Sequence, residues 1–140
     1  MVYHATQIIA QAFDQRGLKY NIREVGSLST VELAFSGDNV DVKLNFISSD
    51  NDNDVKVLSN TFAKFPESKL STGYKLANDL AREYKYLKFT IDKDGDMSAQ
   101  YDFPLKTQDE ALGEFAIEMA ARFTKIINDC YPKIMKALWS

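Results

Sequence analysis

Carboxylates are the side chains whose spacing in this sequence comes nearest to a chemical site. Asp50–Asp54 alternates aspartate with asparagine, which places carboxylates at its first, third and fifth positions, as a hard cation such as calcium prefers. An EF-hand loop also needs glycine at its sixth position and glutamate at its twelfth, where this sequence has Val55 and Thr61. The aspartates within residues 92–96 depart from the pattern likewise. We read both stretches as solvated turns and expect no bound metal.

Other catalytic arrangements lack essential residues. His4 is the sole histidine of the sequence, which leaves no basis for a serine triad or a zinc site built on histidines. Glu114 and Glu118 are one helical turn apart, as paired acid and base carboxylates can be, but a solvated helix face is the commoner cause of this spacing. The glycines are scattered, and none follows a strand into a helix as phosphate-binding loops require. The sequence therefore predicts neither an enzyme nor a cofactor.

The charge balance argues against nucleic acid as a partner. The net charge is −3, whereas neutralising phosphates requires a concentrated positive surface. Lys85 and Lys88 alternate with Tyr84 and Tyr86, and such a stretch could stack the bases of a single strand. The same pattern is ordinary on the surface of a β-strand, and we expect no nucleic-acid binding.

Composition and length indicate one folded domain over residues 1–140. Hydrophobic residues make up 45% of the 140, which is enough for a substantial core. No stretch approaches the roughly 20 consecutive apolar residues of a membrane span, so we expect no membrane insertion. Cys130 is the single cysteine and cannot form an internal disulfide. We interpret it as a core residue in a reducing compartment, the cytoplasm.

The longest apolar stripe, within Thr107–Trp139, predicts the element around which the chain is organised. Its apolar residues recur at spacings of three and four, which is one face of an α-helix. They are Leu112, Phe115, Met119, Phe123, Ile126, Cys130, Ile134 and Leu138. Thr107, the first residue of this stretch, can form a capping box with Glu110. Pro132 lacks an N–H and its ring would crowd the carbonyl of Asn128, so we expect a kink or break between Asp129 and Pro132.

The remaining chain alternates between helical and strand periods. The predicted segments are a helix at His4–Arg16, strands near Tyr20–Arg23, Val31–Phe35, Val40–Phe46 and Val55–Phe65, a helix at Lys69–Tyr84 and a hairpin spanning Leu87–Phe103. The inward residues of the second helix are predicted to be Leu70, Tyr74, Ala77, Leu80, Ala81 and Tyr84. Alternating strands indicate an antiparallel sheet with one buried face. The predicted fold class is α+β, a single antiparallel sheet of five to six strands with helices packed on one face, in the order α-β-β-β-(β)-α-β-β-α.

Three stretches match the pattern of a known family, namely Leu76–Leu80, Lys88–Asp96 and Tyr101–Leu105. Together with the long final helix they resemble the YbjN-type family of bacterial sensory transduction regulators. The resemblance implies a fold similar to that of type III secretion chaperones, which bind protein partners and often dimerise, and it implies no established enzymatic activity. Family members often carry two asparagines three residues apart on the middle helix. Asn78 matches the first, and Ala81 stands in place of the second.

The length of the final helix suggests a function. A continuous helix over residues 107–139 would be roughly 50 Å long, whereas a strand of eight residues spans about 27 Å. The tail Tyr131–Trp139 should therefore fold back or reach a partner, and we expect a homodimeric protein-interaction module that is chaperone-like or regulatory. The predicted partner-binding residues are Tyr131, Ile134, Leu138, Trp139 and Asn78. Two alternatives stay open: the tail caps a monomer, or the chain carries a small apolar ligand in a cavity between the long helix and the sheet.

Overall fold

The computed structural model describes residues 2–49, 54–105 and 109–140, and these ranges contain three α-helices and six strands. The helices are α1 (His4–Gln15), α2 (Leu70–Glu83) and α3 (Asp109–Trp139), and a 3-10 turn at Glu67–Lys69 leads into α2. The strands are β1 (Asn21–Val25), β2 (Leu28–Phe35), β3 (Val42–Ser48), β4 (Asp54–Lys64), β5 (Lys88–Ile91) and β6 (Asp96–Pro104). The predicted capping box of α3 begins at Thr107, which lies outside the described residues.

All six strands form one antiparallel sheet in the order β1-β2-β3-β4-β6-β5. The first four strands form a meander, and β6 then pairs with β4, which leaves β5 at the edge. The alternation predicted for β3 is present, because Val42, Leu44 and Phe46 are buried while Lys43 and Asn45 are not. The α+β fold class and the order of elements are therefore confirmed, with β4 as the additional strand.

The helices cover one face of this sheet. α1 contacts β2 and β3, α3 contacts β3 and β4, and α2 contacts β5. Phe13 of α1 meets Phe46 of β3 edge to face, with ring centroids 5.4 Å apart, a geometry that aromatic rings favour. The largest fully buried side chains include Ile9, Phe13, Leu44, Phe46, Phe65, Leu80, Met97, Met119, Phe123, Ile127 and Ile134.

α2 turns a narrower face to the core than the sequence predicts. Ala77 and Leu80 are buried as expected. Tyr74 is 49% exposed and Ala81 is also exposed, so the predicted inward orientation of these two residues is wrong. The helix is rotated so that Gly73, the residue before Tyr74, faces the sheet.

Gly73 causes this rotation, because it allows α2 to approach the sheet closely. A Cβ atom at Gly73 would lie 2.6 Å from Cδ1 of Ile91 and 3.0 Å from Cγ of Phe65, distances that are too short for carbon atoms in contact. Gly73 weakens the first turn of α2 by its low helix propensity. It is also the residue that lets this helix pack closely against the sheet.

α3 continues without interruption although Pro132 lies inside it. Of the kink or break predicted between Asp129 and Pro132, the break is therefore wrong, and the kink stays a prediction. A proline removes the N–H that would bond to the carbonyl four residues earlier, which here belongs to Asn128. The side-chain amide of Asn39 donates a hydrogen bond to this carbonyl at 2.8 Å instead. The loop between β2 and β3 thus supplies the donor that the helix lacks.

The side chain of Asn128 holds the same loop. Its Oδ1 accepts hydrogen bonds from the backbone N–H groups of Asn39 at 2.8 Å and Val40 at 3.0 Å, and its Nδ2 donates to the carbonyl of Thr124. A Cβ atom at Gly37 would lie 2.1 Å from Nδ2 of Asn128, so the loop fits closely. Because Asn128 is only 9% exposed, losing these bonds would leave its polar atoms poorly solvated.

Replacing Asn39 with alanine tests whether its side chain supplies the hydrogen bond that Pro132 removes from the helix. Asn39→Ala should lower the free energy of unfolding by about 1 kcal/mol or more, because the carbonyl of Asn128 loses its partner. In a Pro132→Ala background the helix regains its own donor, so Asn39→Ala should cost clearly less. Urea denaturation of the four chains in a double-mutant cycle measures the difference.

The control for this cycle is Asn78→Ala, at an exposed asparagine whose side chain makes no hydrogen bond within the described residues. It should change the free energy of unfolding by less than about 0.5 kcal/mol. An equal cost of Asn39→Ala in both backgrounds would contradict the proposed role of Asn39.

Candidate interaction surfaces

The last turns of α3 present one large apolar side chain to solvent. Trp139 is 84% exposed, whereas Tyr131 and Leu138 are half-buried. Ile134 is fully buried within the single chain. The structure therefore leaves Tyr131, Leu138 and Trp139 as candidate contact residues, and it corrects the assignment of Ile134, which belongs to the core.

The two ends of α2 hold this part of α3 in place. Lys133 Nζ donates to both carboxylate oxygens of Glu83, at 2.8 and 2.9 Å, and these hydrogen bonds raise the pKa of Lys133. At the other end, Lys69 Nζ donates to the carbonyl oxygens of Ala137 and Ser140. A cation at the end of a helix satisfies its last carbonyls and complements its dipole. Trp139 thus stands on a helix end that is fixed to the rest of the chain.

These contacts revise the argument from helix length. The sheet is shorter than α3, as expected, but Cys130 and Ile134 are both fully buried because α2 packs beside this half of the helix. The tail neither folds back nor leaves its apolar stripe uncovered. What remains for a partner is Trp139 together with the half-buried side chains of Tyr131 and Leu138.

Asn78 lies on the exposed side of α2. Tyr74, one turn before it, is 49% exposed, and Arg82, one turn after it, is exposed as well. Lys75 and Asp79 form an ion pair of 3.5 Å on the same exposed helix. Asn78 is thus part of a polar and aromatic helix surface, and its amide has no hydrogen-bond partner within the described residues.

Two of the acidic residues that the sequence singled out, Glu118 and Asp92, form structural contacts. Glu118 accepts hydrogen bonds from Arg122 at 2.8 and 3.0 Å, and the guanidinium of Arg122 also lies 5.0 Å from the centroid of the Tyr86 ring. The carboxylate of Asp92 accepts hydrogen bonds from the backbone N–H groups of Asp94 and Asp96 in the hairpin turn. Such local bonds are typical of aspartate in turns. These contacts give the carboxylates of Glu118 and Asp92 a structural role.

No metal site is apparent in the ranges that the structure describes. Within them, no group of three or more histidine, cysteine, aspartate or glutamate side chains is arranged to hold an ion. The segment Asp50–Asn53, which carries most of the calcium-like pattern, lies outside the described residues, and Asp54 begins β4.

Cys130 is a core residue rather than a reactive thiol. It is fully buried, its Sγ lies 3.5 Å from the carbonyl of Ile127, and burial raises its pKa to about 12. Because the thiolate is the nucleophile, this thiol is not activated at neutral pH. The interpretation of Cys130 as a packing residue therefore agrees with the structure.

One edge of the sheet is a surface that sequence reasoning missed. All five residues of β1 are exposed, and Ile22 and Val25 retain 41% and 52% exposure. The apolar alternation of this segment predicted a half-buried strand. The place of β1 at the edge depends on the order of strands, which alternation within one segment does not report.

Two open grooves lie near this edge. The first, which we call the helix-side groove, has a volume of about 530 Å³ and lies between α3 and the end of β2. It is lined by Arg16, Leu18, Phe35, Ser36, Ile117, Ala120, Ala121, Thr124 and Lys125. The second, the open-side groove, has a volume of about 560 Å³ and lies where β1 begins. It is lined by Lys19, Tyr20, Asn21, Glu32, Leu33, Ala34, Lys43, Leu44 and Asn45.

Comparison with known proteins decides the family. A sequence profile of the YbjN family, described as "Putative bacterial sensory transduction regulator", matches residues 6–134. The chain belongs to the YbjN family. The resemblance seen in the sequence is thereby confirmed, and the family description is that of a regulator rather than an enzyme. No curated protein matches the sequence significantly.

A solved structure supports the fold. The crystal structure of YbjN from E. coli, described as "a putative transcription regulator", is similar with a TM-score of 0.63 and 14% sequence identity over 95% of both chains. At this identity the similarity concerns the fold. Among the described residues, no helix of this YbjN-family chain combines the length and the apolar character needed to cross a bilayer.

The burial of Cys130 can be tested by thiol labelling. In the native protein at pH 8, a disulfide reagent such as DTNB should react with Cys130 more slowly than with a free cysteine by about 100-fold or more, because the sulfur is covered and its thiolate is scarce. In about 6 M guanidinium chloride, which unfolds most domains of this size, the same thiol should react at once. Rapid labelling of the folded protein would show that the α2–α3 contact opens.

Proposed function

We propose that this YbjN-family protein is a non-catalytic regulator that acts by binding protein, and that the end of α3 pairs two copies of the chain. The observation that carries the proposal is the exposure of Trp139, at 84%. Tyr131 and Leu138, both half-buried, complete the contact surface, which we call the C-terminal surface.

The physical reason lies in how the tryptophan is held. Tryptophan buries a large area and is enriched among the residues that dominate binding at interfaces. An exposed indole on a flexible tail would lose much of this gain to ordering. Here Lys69 and Lys133 bind the last turns of the helix to α2, so most of the ordering precedes association.

The family description supports the regulatory part of the proposal. Members are described as regulators, and the related E. coli protein is described as a transcription regulator. Direct contact with DNA suits this chain poorly, because its net charge is −3 and phosphate contacts need clustered cations. Regulation through protein contacts is the simpler reading, and we extend it to a cytoplasmic location because the single thiol is buried and unpaired.

A second candidate function follows from the helix-side groove. The centre of the contact between α3 and the sheet is filled, since Met119, Phe123 and Ile127 are at most 1% exposed. An apolar ligand would therefore bind in the groove at the margin, where Leu18, Phe35 and Ile117 offer apolar surface. Mass spectrometry of the protein purified under native conditions would detect such a ligand.

Trp139→Ala should abolish pairing through the C-terminal surface. Light scattering after size-exclusion chromatography should give the mass of two chains for the wild type and of one chain for the variant. Because Trp139 is the single tryptophan, its emission maximum should also shift to shorter wavelength as the concentration of wild-type protein rises, as the indole leaves water. Truncation at Asn128 is not suitable, since it removes Ile134 and Cys130 from the core.

The matched control is Tyr74→Ala, which removes another exposed aromatic side chain, 49% exposed, from α2. It should leave the mass unchanged at that of two chains. A wild-type mass of one chain at every concentration, with an emission maximum typical of indole in water, would contradict homodimer formation. A mass of two chains in Trp139→Ala would place the pairing elsewhere.

A further inference from the structure

The helix-side groove has an apolar lining at its centre. Leu18, Phe35 and Ile117 line it, and each packs on the core while staying partly exposed. Ala120, at 3% exposure, is the most buried of the lining residues, and its short side chain leaves space above it. The volume of about 530 Å³ lies within the range of small-molecule sites, about 300–1,000 Å³. The groove thus has the size and the lining of a site for an apolar group.

The charged residues that line this groove are both basic. They are Arg16 and Lys125, and both are exposed. Lys125 is paired with Asp129 at 3.0 Å, whereas the guanidinium of Arg16 has no partner in the part of the chain that the structure describes. Glu110 and Glu114 line a separate depression beside Arg16 but form no ion pair with it there. An unpaired cation beside an apolar lining favours a ligand that carries an anionic group.

The length of the groove sets the shape of this ligand. Ile117 and Lys125 are the first and last lining residues on α3, and the eight positions between them correspond to about 12 Å along the helix. Arg16 shares a second depression with Ile117, so its guanidinium is near the Ile117 end. A single alkyl chain that lies along the apolar residues would therefore have its charged end at Arg16.

We propose that the helix-side groove binds a free single-chain anionic amphiphile, such as a medium-chain fatty acid. Burial of the alkyl chain against Leu18, Phe35 and Ile117 would supply most of the affinity, and the contact with Arg16 would give the preference for an anion. This inference rests on the second candidate function, which places an apolar ligand in the same groove, and it assigns the chemical class of that ligand. Pairing through the C-terminal surface is not required.

Two other occupants fit the charges less well. Trp139 of a second copy offers a large exposed side chain, but Lys136, one turn before it, is exposed as well and would meet the basic residues of the groove. An anionic bilayer would face the whole chain, whose net charge is −3, and like charges oppose this approach. A small ligand meets only the local positive charge.

Decanoate is the probe, titrated below its micelle-forming concentration into the full chain labelled with nitrogen-15. The amide signals of Leu18, Phe35 and Ala121 should shift. Decyltrimethylammonium, a cation with an alkyl chain of the same length, should bind more weakly by about fivefold or more, because it loses an attraction and meets a like charge. Octanoate should bind about fourfold or more weakly than decanoate, because it buries two methylene groups fewer.

Reversing the charge at Arg16 tests the contact with the charged end. Arg16→Glu should weaken binding of decanoate by about fivefold or more and should strengthen binding of decyltrimethylammonium. The matched control is Arg82→Glu, which makes the same change in net charge at an exposed position of α2. It should alter either affinity by less than about twofold, because distant exposed charges are screened.

Filling the groove tests the contact with the alkyl chain. Ala121 is exposed and lines the groove, so the ring in Ala121→Phe would occupy the space of the ligand and should weaken binding of decanoate by about tenfold or more. The control is Ala81→Phe, the same substitution at an exposed alanine of α2, which should leave the affinity within about twofold. Thermal unfolding checks that each variant is folded.

Three results would overturn the proposal. The first is the absence of shifts in the groove up to about 1 mM of either amphiphile, the weak limit for a specific small ligand, and it would remove the second candidate function as well. The second is equal affinity for decanoate and decyltrimethylammonium, which would keep the second candidate function but not the anionic class. The third is flotation of the chain with phosphatidylglycerol vesicles without binding of decanoate, which would assign the groove to a membrane surface.

Discussion

The hydrogen bond from the side chain of Asn39 to the carbonyl of Asn128 is the interaction on which the second half of the structure depends. Pro132 removes the donor that this carbonyl would find within the helix, and Asn39 replaces it at 2.8 Å. Without the replacement, this carbonyl would lack a partner, at a cost of about 1 kcal/mol or more. The turn before Pro132 would then be the least stable part of α3, and the residues that follow it, Lys133 and Trp139 among them, would be held less firmly.

An unbroken α3 creates a second requirement, because the sheet cannot cover a helix of 31 residues. At about 1.5 Å per residue the helix is roughly 46 Å long, so other helices must cover what extends beyond the strands. α1 packs on its first half, where Gly113 lies so close to Ala12 that a Cβ would stand 3.0 Å from the Cβ of that alanine. α2 packs on its second half, held by Lys133 and Glu83. Most of the apolar stripe from Leu112 to Ile134 is thereby buried, and only Phe115 and Ile126 within it stay partly exposed.

The features that could be predicted from the sequence are those with a local cause. The strict alternation around Leu44 and the three-and-four spacing around Phe123 each determine an element by themselves, and together they led to the correct fold class. Tyr74 was placed on the wrong face because the rotation of α2 is set by contact of Gly73 with Ile91 and Phe65, which are distant in the chain. The predicted break at Pro132 was wrong because Asn39 supplies the hydrogen-bond donor that the proline lacks, and Asn39 lies 89 positions from Asn128.

The same distinction between local and distant causes applies to the residues of the candidate surfaces. The exposure of Trp139 could be anticipated, since a tryptophan at the end of a long stripe has little left to pack against. Ile134 could not be placed, because its burial depends on where α2 crosses α3.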